Sequence, residues 1–106
     1  MSNRREHIIA ALETKAQQVV PKDATVLLFG SQARGDAHSG SDWDILILLN
    51  KKRVELNDYD MIAYPFRELG WDLGEVINPI LYSFEDWQNQ SITPFYKNVI
   101  HDCVRL

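Results

Sequence analysis

Cysteine is nearly missing from this 106-residue chain: Cys103 stands alone, so no disulfide can close within it, and a reducing cytoplasm fits. Long apolar runs are missing too, since none approaches the roughly 20 residues that a membrane helix needs. The opening residues, M-S-N-R-R-E-H-I-I, carry basic charge, but a glutamate and a histidine interrupt what would be the apolar part of a signal peptide. Basic charge is short overall. The 11 Lys and Arg against 15 Asp and Glu leave a formal −4, which argues against a general nucleic-acid binder, because phosphate binding is led by Lys and Arg. No repeat, linker or low-complexity segment divides the sequence, so a single domain over residues 1–106 is expected.

What is present is organised around residues 25–49. Thr25 to Phe29 is a β-branched and aliphatic run that reads as a buried strand, and Gly30-Ser31 breaks it. Ser31 to Arg34 reads as a short helix and Gly35 to Gly40 as a loop. A second run, Trp43 to Leu49, is apolar on both faces and belongs in the middle of a sheet.

The flanking elements follow from spacing and punctuation. Ile8, Ile9, Leu12, Ala16, Val19 and Val20 recur at helical intervals and predict a helix from about Asn3 to Val20, ended by Pro21. Tyr59, Ile62, Ala63, Phe66 and Leu69 trace a second stripe, with Asp58 as N-cap and a kink or split at Pro65. Glu75 to Tyr82 reads as a third strand, and Pro79 places it at a sheet edge or a bulge. Ser83 caps a short helix, and Thr93-Pro94 opens a final one through Val104. The fold class is α/β (α+β), a small mixed sheet flanked by helices.

Chemistry concentrates between the two apolar runs. In an extended strand, residues two apart share a face, so Asp42 and Asp44 project side by side with Trp43 opposite. Two carboxylates about 4 Å apart repel by roughly 4 kcal/mol at an effective dielectric near 20. They are kept cheaply when solvated, when sharing a proton, or when holding a cation, and oxygen-only ligands suit Mg2+ or Mn2+. The Gly30-Ser31 turn lets backbone approach a phosphate, and Ser31 adds a hydroxyl donor. Together these are parts for nucleotidyl transfer.

The segment F-G-S-Q-A-R-G-D-A-H-S-G-S-D-W-D-I-L-I closely resembles the signature of the DNA polymerase β-like nucleotidyltransferase superfamily. In so short a chain it resembles the minimal nucleotidyltransferases, the antitoxin partners of HEPN-domain toxins. The resemblance implies that Gly30 and Ser31 contact nucleotide phosphates and that Asp42 and Asp44 are the catalytic metal ligands. It places Arg34 and Ser41 at accompanying nucleotide-binding positions. The implied activity is transfer of AMP from ATP, with Mg2+ or Mn2+, onto a hydroxyl of a HEPN-type partner. Relatives acting on small molecules add a helical acceptor domain, for which the stretch after Tyr82 is too short. One departure stands out. The family's third carboxylate falls at Asn78, and an amide cannot serve as a general base. Glu75 and Asp72 are the nearest acids, and strand alternation turns Glu75 to the other face. A module that has lost catalysis and neutralises a toxin by binding is therefore the alternative.

Other features read more plainly. Leu46 at the next ligand position rules out an EF-hand, and His7, His38 and His101 show no metal spacing. Lys51-Lys52-Arg53 reads as a solvated strand exit, and Trp71 and Trp87 as half-buried packing residues.

Overall fold

Every second residue of an apolar strand is committed to one side of its sheet, and here both sides are covered by helices. The computed structural model describes residues 3–38 and 40–106, so Ser39 of the expected loop lies outside the described residues. Its strands are β1 (Thr25–Phe29), β2 (Trp43–Leu49), β3 (Ile77–Ser83) and β4 (Val104–Arg105), in the order β3-β2-β1-β4. β1 runs antiparallel to β2 and β4, and β2 runs parallel to β3.

Helices α1 (Arg4–Val19) and α4 (Tyr64–Leu73) cover the face formed by Val26, Leu28, Trp43, Ile45 and Ile47. Helices α5 (Phe84–Asn89) and α6 (Pro94–Asp102) cover the other, where Leu27, Phe29, Leu46 and Leu48 meet Trp87 and Val99. Two short helices, α2 (Ser31–Arg34) and α3 (Leu56–Asp58), complete the set. Among the described residues, no helix is long and apolar enough to cross a membrane.

The two runs that organise the sequence lie where spacing put them, and Pro79 does sit in an edge strand. Asn3 caps α1 by accepting the Glu6 N–H at 2.8 Å. Several boundaries moved for local reasons. Asp58 is not an N-cap. Glu55 takes that place, and Asp58 reaches back to the Glu55 N–H at 2.8 Å, with Lys51 bound at 2.9 Å to both carboxylates. Lys51 thus fastens a helix start instead of being a free solvated charge. The split at Pro65 takes the form of a π turn over Tyr59–Ala63, after which proline sits in the first turn of α4, where its missing N–H costs nothing. β3 starts late because the Glu75 N–H is still bound to Gly70 O, at 2.9 Å, in the turn leaving α4. The last helix stops at Asp102 because Val104 and Arg105 pair with β1 as a fourth strand. Trp87 is fully buried, whereas Trp71 is 67% exposed and contradicts the packing role expected for it.

Candidate active site

Sheet register brings three strands to one row. Asp44 of β2 stands opposite Phe29 of β1 and opposite Asn78 of β3, all on the face covered by α5 and α6. Asn78 Nδ2 donates to Asp44 Oδ1 at 3.2 Å. The other oxygen faces the turn at Gly30, where a Cβ would lie 2.5 Å from Asp44 Oδ2. Gly30 also has φ of +77°, a region that side chains avoid. Glycine is thus required twice over, by backbone angle and by the carboxylate pressed against it.

Asp42 lies one residue before β2 and is exposed, and alternation assigns it to the face of Asp44. Ser31 opens α2 directly after Gly30. Arg34, at the other end of α2, pairs with Asp36 at 3.2 Å and with Asp102 of α6 at 3.5 Å. Its contacts with Asp36 keep the guanidinium firmly charged, while His101 and then Arg34 hold the Asp102 carboxyl below its ordinary range. Ser41 secures the loop: its Oγ accepts the His38 N–H at 3.0 Å and its carbonyl accepts from Gln32 Nε2 at 3.3 Å. The Ser41 hydroxyl proton remains available as a donor.

Glu75 belongs to the opposite side. Trp43 Nε1 donates to its Oε1 at 2.7 Å and Arg4 to its Oε2 at 3.0 Å, and these partners, the indole first, hold its carboxyl below its ordinary value. Asp72 sits on α4, which covers that same opposite face. Of the acids considered for a third position, none joins Asp44; the residue that does is Asn78. Sequence reasoning missed the Arg4–Glu75–Trp43 link and the buried Gln32. A buried indole N–H needs an acceptor, so an acid near Trp43 in the fold was the available signal.

Asp44, with Asp42 assigned to its face by alternation, would make an all-oxygen donor set. That chemistry fits a hard divalent cation such as Mg2+ or Mn2+, while Gly30 leaves room for the Asp44 carboxylate itself. Gly30→Ala should therefore abolish nucleotide binding, with at least a ~30-fold rise in Kd for a fluorescent ATP analogue, since ~2 kcal/mol of strain or displacement falls on the site itself. Affinity within about 3-fold of wild type would show that the turn has another purpose.

Comparisons with known proteins bear on the chain as a whole. The family described as "Nucleotidyltransferase domain" matches residues 7–103. A protein of Methanocaldococcus jannaschii named "Putative protein adenylyltransferase MJ0604" is 32% identical over 97 residues, covering 92% of this chain and 88% of its own length. A solved structure described as "Structure of putative minimal nucleotidyltransferase" superposes with a TM-score of 0.64 at 25% identity, covering 96% of this chain and 95% of that one. A second, "Crystal structure of the toxin-antitoxin with AMP-PNP", shares the fold at a TM-score of 0.62 and 18% identity, over 97% of this chain and 72% of that one. Matched by the family model over nearly its whole length, this chain belongs to the nucleotidyltransferase domain family and has the minimal nucleotidyltransferase fold.

Proposed function

We propose that this chain transfers AMP from ATP to a hydroxyl of a partner protein, a HEPN-type toxin, and acts in the cytoplasm as its antitoxin. The observation that carries this reading is the close approach of the Gly30 turn to Asp44, which supports a phosphate tail bound near that turn and a metal held by that carboxylate. Support also comes from the relative named as a protein adenylyltransferase and from the shared fold of the toxin–antitoxin structure.

Asp42 and Asp44 would hold Mg2+ or Mn2+, which when bound offsets charge on the triphosphate and the leaving pyrophosphate. Gly30 lets the phosphate tail reach the backbone, the Ser31 and Ser41 hydroxyls donate to it, and the Arg34 guanidinium faces its charge. The acceptor oxygen bonds to the α-phosphorus as the bond from that phosphorus to the bridging oxygen breaks. Pyrophosphate leaves, and the hydroxyl proton passes to water or to a base on the partner. A second reading is favoured by one observation. The residue facing Asp44 on β3 is an amide, so a chain that binds nucleotide and toxin without transfer also fits. The test is to incubate this chain with ATP, Mg2+ and a HEPN-domain protein co-purified with it, and to weigh the partner intact. A gain of one or more AMP units is expected. No gain across nucleotides and metals would leave the binding-only reading.

A further inference from the structure

We infer that Asn78 restricts this site to a single divalent cation and leaves the β3 side of Asp44 without one. The inference rests on the nucleotidyltransferase reading above and concerns how many ions that site takes. The two oxygens of Asp44 have different neighbours. Oδ2 lies against the glycine turn, where a Cβ on Gly30 would be 2.5 Å from it, while Oδ1 accepts the Asn78 amide at 3.2 Å. An ion approaching Oδ1 from β3 meets N–H hydrogens carrying partial positive charge, and it must displace a formed hydrogen bond. Rotating the amide offers it only a neutral carbonyl oxygen.

Charge balance points the same way. Asp42 and Asp44 together carry two negative charges, which one divalent ion offsets; a second ion would depend on the nucleotide phosphates and on the Asp42 and Asp44 oxygens that the first already uses. Among the described residues no group of three or more His, Cys, Asp or Glu side chains is placed to hold a metal. Glu75, the acid closest in sequence to Asn78, has both oxygens bound by Trp43 and Arg4 on the far face. Pro79 continues β3 directly after Asn78, and the register with β2 runs unbroken from Trp43 to Leu49, so no bulge re-aims another acid at Asp44. The consequence reaches the acceptor. Without a second ion to acidify it, the incoming hydroxyl must lose its proton to a base that the partner itself carries, or to water.

Mn2+ and the non-hydrolysable AMP-PNP test this without turnover. Electron paramagnetic resonance of the full chain saturated with both should show one bound Mn2+ per chain with the spectrum of an isolated ion. Asn78→Asp should take two, with the spin coupling of ions about 3.5–4 Å apart. A coupled pair in the unmodified chain would overturn the inference alone, as would a single isolated ion in a folded Asn78→Asp variant. Should Asn78→Asp fail to fold, the unmodified chain still decides the matter. No bound Mn2+ or AMP-PNP at all would overturn the nucleotide reading itself, and the inference with it.

Discussion

If the proposed transfer holds, Asp44→Ala should lower it by about 10³-fold or more, because a metal ligand contributing several kcal/mol to the transition state would be lost and each ~1.4 kcal/mol is tenfold in rate. Asp44 is only partly buried, and among the described residues its side-chain hydrogen bond goes to Asn78. Removing it deletes a contact worth about 1 kcal/mol at most in net stability. The fold should therefore survive, with far-UV circular dichroism unchanged and a melting temperature within about 8 °C of the unmodified chain. Asp42→Ala should match the loss of transfer with a smaller thermal effect, since Asp42 is exposed. Co-expression with the toxin then separates the two readings. Neutralisation that depends on transfer disappears in both variants, whereas neutralisation by occlusion persists. A variant that keeps more than about a tenth of the transfer rate would remove Asp44 from the reaction.

Much of this site was legible in the chain because it is local. The strand, the Gly-Ser turn and the Asp-x-Asp that opens the next strand all fall within residues 25–49, and alternation alone assigns their faces. Asn78 was reached through the resemblance, as the counterpart of the family's third carboxylate, and the parallel register of β3 with β2 sets it opposite Asp44. What could not be read depends on partners distant in sequence. β4 is two residues long and exposed, with no periodicity to announce it; it exists because Val104 and Arg105 find the open edge of β1. Arg34 sits within the motif segment, yet its tie to Asp102 spans most of the chain. Trp71 and Trp87 look alike in sequence, each in a helical stretch. Their opposite burial is decided by which helix face meets the sheet: Trp87 points into it, while Trp71 stacks edge-on against Tyr64, itself half exposed.

Trp87→Ala should be the most damaging change to stability, and its effect should travel to the site. Trp87 is 1% exposed and lies against Tyr82, Phe95 and Tyr96 with ring centroids 5.6, 5.6 and 4.7 Å away. Truncating a buried tryptophan costs about 3–5 kcal/mol, before the aromatic pairs add their own ~0.5–1.5 kcal/mol each. In a domain of this size each kcal/mol moves the melting temperature by about 4–8 °C, so a fall of at least ~12 °C is expected. The same cavity loosens Phe95, which is the edge-on partner of Phe29 at 5.7 Å. Phe29 in turn precedes Gly30 and stands opposite Asp44. The aromatic cluster between α5 and α6 is thus the floor on which the turn and the carboxylate are held. Nucleotide affinity should weaken in Trp87→Ala even at temperatures where far-UV circular dichroism still reports a folded chain. Ile92→Ala, at a position 81% exposed, serves as the control and should change neither property. If Trp87→Ala melts lower but binds AMP-PNP with unchanged affinity, the floor supports the fold alone and the site draws its rigidity from the strand register.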